Sequence, residues 1–176
     1  MKVVLYQPEI PQNTGNIVRT CAMTGSDLLL VRPLGFSTSD RMLKRAGLDY
    51  WYRVRVEFTD DLVSHLETCN CRFFFFSSKV KARYSDISYQ ESDYLIFGSE
   101  TAGLPAAYFE RWPDLFYTIP TLSLLDSRAA SCQSAEIPGP WQANKRTQDS
   151  GCLNLSNAVS IVVYEALRQR EFNTLV

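Results

Sequence analysis

Leu95-Ile96-Phe97-Gly98-Ser99-Glu100-Thr101-Ala102-Gly103-Leu104-Pro105 decides the fold class. The run from Asp93 to Phe97 is too short and too evenly apolar for an amphipathic helix, and it reads as a strand covered on both faces. A turn bounded by Gly98 and Gly103 follows, and Pro105 is placed for the first turn of a helix over Ala106 to Arg111. Strand, polar turn and helix in this order form one β-α unit.

The N-terminus repeats that order. Lys2 to Tyr6 reads as a buried strand, Pro8 and Pro11 hold the next loop extended, and Asn13-Thr14-Gly15-Asn16 supplies helix-start chemistry ahead of Ile17 to Met23, with Gly25 as C-terminal cap. Asp27 to Val31 is a second strand. Pro33 and Gly35 mark a turn, and Ser37 or Thr38 caps a short helix through Lys44-Arg45-Ala46 that ends at Gly47. Val54 to Phe58 is a short strand, Asp60 caps a helix through Glu67, and Arg72 to Ser78 and Leu115 to Ile119 are further strands. Such alternation predicts an α/β fold, a mostly parallel sheet with helices on both faces. Ligands of such sheets bind at the carboxyl ends of strands, where both Asn13–Asn16 and Gly98–Gly103 fall. In Leu153-Asn154-Leu155-Ser156-Asn157-Ala158-Val159 a polar first turn, capped by Asn154 or Ser156, opens a helix whose apolar run through Tyr164 requires burial.

The 176 residues fit one domain with a full core, and 45% hydrophobic with 21% charged residues is ordinary globular composition. No apolar run reaches the roughly 20 residues of a membrane span, and Met1 leads directly into a strand pattern, so the expectation is a cytoplasmic protein without a membrane partner. Five scattered cysteines, among them Cys69 and Cys71 one residue apart, read as free thiols. His65 is the one histidine and reads as a surface residue, so His-centred catalysis and a metal site are not expected. Net charge of −1 hides an asymmetry: residues 1–85 carry 12 Lys/Arg against 8 Asp/Glu, whereas residues 86–176 carry 6 against 11. Arg41, Lys44, Arg45, Arg53 and Arg55 lie among Tyr50, Trp51 and Tyr52, and Arg72, Lys79, Lys81 and Arg83 beside Tyr84, a mixture that suits RNA as well as a solvated surface.

Gly98 and Gly103 have the glycine spacing of a phosphate loop, but Leu104-Pro105 stands where Lys and Ser/Thr would be needed, and no G-x-G-x-x-G follows a strand. Triphosphate hydrolysis and the usual dinucleotide fold are therefore disfavoured. Arg19, one helical turn beyond Asn16, carries a guanidinium that could orient a phosphate or stabilise a developing alkoxide.

Asn13-Thr14-Gly15-Asn16-Ile17-Val18-Arg19, Leu95 to Pro105 and Leu153 to Val159, in that order, resemble the three motifs of the SPOUT class of RNA 2′-O-ribose methyltransferases. Leu5 to Asn13 and Arg45-Ala46-Gly47-Leu48-Asp49-Tyr50 look closest to the minimal bacterial members that methylate the wobble nucleotide, cytidine or uridine, of certain leucine tRNAs. The resemblance implies a C-terminal deep trefoil knot, a homodimer, tRNA as partner and S-adenosylmethionine as cofactor, without metal. Carried over by position, it places the cofactor against Phe76, Gly98, Gly103, Ile119, Cys152 and Leu153. The catalytic set it implies is Arg19, Ser156, Asn157, Asn16 and Glu100.

Residues 121–152 depart from the family, whose members pass to the last motif through a shorter loop. A single domain with this atypical insert is expected. The competing expectation is a non-catalytic knotted RNA-binding or scaffold protein whose cofactor pocket the insert disrupts; a third is an α/β protein for another nucleotide.

Overall fold

The computed structural model describes residues 1–37, 50–121 and 152–173. The chain forms two units, Met1–Ile119 with Asn154–Val176, and Pro120–Leu153. Of the second unit the described residues are Pro120, Thr121, Cys152 and Leu153, all exposed. The expected helix through Lys44 to Gly47, most of the 121–152 insert and the chain path on which a knot depends lie outside the described residues.

The first unit is built on a parallel six-stranded sheet. Its strands are β1 (Lys2–Tyr6), β2 (Asp27–Val31), β3 (Val56–Thr59), β4 (Phe73–Phe76), β5 (Tyr94–Phe97) and β6 (Phe116–Tyr117), in the order β3-β2-β1-β5-β4-β6. Every pairing is parallel, with Val3 opposite both Leu28 and Leu95. Period-2 alternation divides the strand side chains between two cores. Val3, Leu5, Leu28, Leu30, Leu95 and Phe97 face α1 (Pro11–Thr24) and α4 (Leu155–Gln169). Val4, Leu29, Phe75 and Ile96 face the other way, toward Leu62 and Leu66 of α2 (Leu62–Thr68) and the aromatic ring cluster around α3 (Ala106–Arg111). Fully buried Phe75 stacks on Phe116 at 4.7 Å and on Trp112 at 5.3 Å between ring centroids. A side chain of that size contributes about 3 kcal/mol on burial.

Several local expectations shift for identifiable reasons. Pro11 does not prolong the loop but starts α1, because its fixed φ and missing N–H suit the first helical position. Asn13 to Asn16 thus lie inside the first two turns, and Gly25, at φ 65°, closes the helix as expected. Asp61 rather than Asp60 caps α2, accepting the Ser64 N–H at 3.2 Å. The β3 strand is Val56–Thr59, two residues later than its start was read. Beyond Tyr117 the chain leaves β4: Thr118 donates to Ala82 O at 2.7 Å and accepts from Tyr84 N–H at 2.9 Å, so the Leu115–Ile119 run serves two partners.

Two expectations are corrected. Cys69 and Cys71 are not free thiols but are joined by a disulfide, their Cα atoms 5.3 Å apart. Extended backbone after α2 turns side chains two residues apart to the same side, which brings the sulfurs together. His65 is not a surface side chain either. It follows Leu62 by three positions on the sheet-facing side of α2, packs 5.9 Å from the Tyr94 ring and is half-buried. Burial, then the nearby Lys2 charge, push its pKa down, and Nε2 has no partner among the described residues.

Candidate functional site

The strand order runs outward from β1 through β2 to β3 on one side and through β5 to β4 and β6 on the other. This reversal marks the carboxyl ends of β1 and β5 as the switch point, the place where open α/β sheets bind ligands. Residues 7–13 leave β1 there, and Gly98–Gly103 leaves β5. Both sequence motifs therefore meet at the switch point.

Glu100 joins them. Its Oε2 accepts the Glu9 N–H at 2.8 Å, and its Oε1 accepts the Ile10 N–H at 3.2 Å and Asn13 Nδ2–H at 2.8 Å. Ile10 is the N-cap of α1 and has no capping oxygen in its own side chain; a carboxylate distant in sequence instead takes the N–H of the N-cap and of the residue before it. Glu9 returns the contact: Thr101 Oγ1 lies 2.6 and 2.8 Å from its two carboxylate oxygens and donates its proton there.

The third motif continues the chain of bonds. Asn154 Nδ2–H donates to Asn13 Oδ1 at 2.9 Å, and Asn154 Oδ1 accepts both the backbone N–H of Ser156, at 2.9 Å, and its hydroxyl, at 2.7 Å. Asn154 is thus the N-cap of α4, and Ser156 is the capped residue. One turn on, Ser160 Oγ donates to Ser156 O at 2.8 Å and lies 3.1 Å from Thr20 Oγ1 of α1. Asn13 and Ser156 are buried, which makes the relay from Glu100 through Asn13 and Asn154 to Ser156 an ordered polar seam under the site.

Gly98 and Gly103 are required by the turn. Ser99 and Gly103 exchange backbone bonds at 3.2 and 3.0 Å, Ala102 N–H donates to Ser99 Oγ, and a Cβ on Gly98 would lie 2.3 Å from the Gly103 carbonyl carbon. Gly103 adopts φ 71°. Phe76 and Phe97, paired across β4 and β5, stack at 4.8 Å one residue before Gly98, and half-buried Ile119 packs against the core on the same side of the sheet. A nucleoside-bearing group needs an apolar wall and a turn without bulky side chains, and these residues fit that need.

Arg19, Asn16 and Asn157 are exposed, and among the described residues none of them bonds to the relay. Arg19 instead sets its guanidinium over Tyr50, with Cζ 4.8 Å from the ring centroid. Cys152 and Leu153 belong to the second unit and are exposed. The basic stretches are partly committed: Arg55 pairs with Glu57 and Arg72 with buried Asp93, while Arg41, Lys44 and Arg45 lie outside the described residues. Sequence reasoning gave Glu9 and Thr101 no role in the site, and marked Tyr50 as an aromatic among basic side chains but not as the partner of Arg19. Pro8-Glu9-Ile10-Pro11 stands out as a charged residue between prolines, but nothing in it points to Thr101.

Residues 1–127 match the SpoU rRNA Methylase family. The chain belongs to that family. A SpoU-family relative, the tRNA (cytidine(34)-2′-O)-methyltransferase of Escherichia coli K12, is 44% identical over 170 residues, spanning 96% of this chain and 93% of that protein. A solved structure described as giving insights into the 2-OH methylation of C/U34 on tRNA is 40% identical with a TM-score of 0.76, covering 98% of this chain and 97% of the other. The SpoU methyltransferase AviRb of Streptomyces viridochromogenes, solved in complex with AdoMet, is 19% identical with a TM-score of 0.71 over 97% of this chain and 58% of its own; it shares the fold. Among the described residues no helix is long and apolar enough to cross a membrane, and no group of three or more His, Cys, Asp or Glu could hold a metal ion.

Proposed function

We propose that this SpoU-family methyltransferase transfers a methyl group from S-adenosylmethionine to the ribose 2′-hydroxyl of the wobble nucleotide, position 34, of tRNA, with leucine tRNAs as its targets in the cytoplasm. The observation that carries the reading is the Glu100–Asn13–Asn154–Ser156 relay, which ties all three motifs together at the sheet's switch point. The names of relatives above 40% identity supply the substrate class.

Phe76, Gly98, Gly103 and Ile119 would hold the cofactor in the first unit, and Cys152 and Leu153 are retained from the resemblance. When bound, the cofactor supplies an electrophilic methyl on a sulfonium. The chain's own residues bind and orient. Arg19, exposed and positive, would meet a phosphate or the oxygen that gains charge as the hydroxyl proton passes to solvent, a stabilisation that grows toward the transition state. Asn16, Asn157 and Ser156 provide short polar groups around it. Glu100 acts at one remove, because both of its oxygens already hold the start of α1. Positioning accounts for most of the rate in such a scheme.

A homodimer is part of this reading. Met23 and Tyr164 leave an apolar surface on α1 and α4, 47% exposed in each case, that a second copy would cover. The non-catalytic alternative rests on the 121–152 insert, and nothing in the described residues favours it.

Titration calorimetry with S-adenosylmethionine should give about one site per chain. Labelled methyl should then enter unmodified leucine tRNA at position 34, and a transcript carrying a 2′-deoxy nucleotide there should take none. Arg19→Ala should abolish transfer while leaving cofactor affinity within about twofold. A folded protein that binds tRNA yet transfers no methyl would remove the proposal.

A further inference from the structure

Arg19 is held by a ring instead of a carboxylate. Arg32, Arg55, Arg72, Arg111, Arg168 and Arg170 each meet an Asp or Glu, whereas among the described residues Arg19 meets only the Tyr50 ring; exposed Arg53 likewise lies over Tyr52 without an acidic partner, but on the turn after Tyr50 and not on α1. The chemical difference is large. A carboxylate occupies the in-plane N–H donors of a guanidinium and cancels its charge, while an aromatic face takes up the flat side and leaves both donors and charge for another anion.

Tyr50 is built to be a support. It is half-buried and packs with Trp51 against the core that lies under α1 and α4. Its carbonyl accepts the Arg53 N–H at 2.9 Å and fixes the turn that follows. An exposed arginine on a free helix surface would sample many rotamers, and holding one of them removes an entropic cost from reaching the transition state.

We infer that Tyr50 is a positioning residue for Arg19: its ring holds the guanidinium flat, with the edge donors turned toward a phosphate or developing alkoxide oxygen of the RNA. The inference rests on the methyl-transfer reading given above. Tyr50 need not touch the reacting atoms.

Single-turnover and steady-state methylation of unmodified leucine tRNA transcript by Tyr50→Leu and Tyr50→Phe tests it. A cation–π contact at an accessible site predicts a kcat about 3- to 30-fold lower for Tyr50→Leu. The KM for tRNA and the affinity for S-adenosylmethionine should stay within about twofold, and Tyr50→Phe, which keeps the ring, should restore most of the rate. Arg19 Nε–H supplies a readout independent of turnover: its NMR resonance should show a ring-current shift in the wild type and in Tyr50→Phe, and lose it in Tyr50→Leu. Circular dichroism and melting confirm that each variant is folded. A folded Tyr50→Leu with wild-type kcat overturns the positioning role, as does failure of Tyr50→Phe to rescue. A loss confined to KM for tRNA also overturns it, since the ring would then contact the RNA itself. If wild-type protein transfers no methyl, the methyl-transfer reading falls and this inference falls with it; if wild type is active and only the Tyr50 variants behave otherwise than stated, the earlier reading stands.

Discussion

Glu100 gathers three donors from a segment some 90 positions earlier in the chain: two backbone N–H groups at the start of α1 and the Asn13 amide. Replacing one carboxylate oxygen with an amide turns an acceptor into a donor that faces other donors. Glu100→Gln should therefore cost about 2 kcal/mol in urea denaturation, well above the few tenths expected of an exposed Glu→Gln change. Unchanged stability would mean that the contacts are not made in solution. The motif marked Glu100 in the sequence, but its use did not show there. Backbone N–H groups carry no residue signature, so a helix cap supplied from a distant loop is visible only once the fold brings the two together. The pairings of Glu9 with Thr101 and of Tyr50 with Arg19 are likewise contacts distant in sequence that only the fold reveals. The cap of α4, by contrast, narrows to Asn154 or Ser156 from sequence, because an N-cap acts within its own turn, and the structure assigns it to Asn154.

Elements were legible where their pattern was local. The apolar runs of β1, β2, β4 and β5 were placed to within one or two residues, since burial on both faces leaves nothing else for a short uniform run to be. β6, read as Leu115–Ile119, lies equally close, whereas the start of α1 was less legible, because a proline can either end a loop or open a helix. The turn after β5 tests the geometry at this scale. Gly98 and Gly103 look alike in sequence, yet their demands differ. At Gly98 an added Cβ would collide with backbone at 2.3 Å and 2.6 Å; at Gly103 there is open space and only a positive φ to resist. Gly98→Ala should accordingly lose about 3 kcal/mol and most methyl transfer, and Gly103→Ala about 1 kcal/mol. Paired urea melts read both, and the reverse ranking would contradict this turn.

At the scale of the molecule, the sheet's order sets both the site and an electrostatic brace across it. Lys2 on β1 reaches past β2 to Glu57 on β3, with Nζ 2.7 Å from Oε2 and both side chains mostly shielded. The bond to Lys2 is the chief reason that the Glu57 carboxyl sits below its ordinary value of 4.5. For Lys2, burial pulls downward, but the bonds to Glu57 and Tyr94 outweigh it and leave the amine above 10.5. The signs follow from linkage. A depressed acid stabilises the fold above its unfolded pKa and loses that contribution as pH falls through the lowered value; a raised amine stabilises below its unfolded pKa and loses it as pH rises. The pair therefore acts fully between about pH 4.5 and 10.5. Asp93 runs the opposite way, its carboxyl raised first by burial, so its ionisation lowers stability as pH rises through the acid range. That contribution is common to wild type and a Lys2 variant and cancels in their difference. Lys2→Met, which keeps the length of the side chain against Tyr94, should cost about 0.5–1 kcal/mol at pH 7, since the pair is partly screened and Arg55 still accompanies Glu57. In urea melts the gap should shrink from pH 7 to an acid pH below the lowered Glu57 value, where that carboxyl is protonated in both proteins. A gap of equal size at both pH values would show that Lys2 acts through packing on Tyr94, not through its charge.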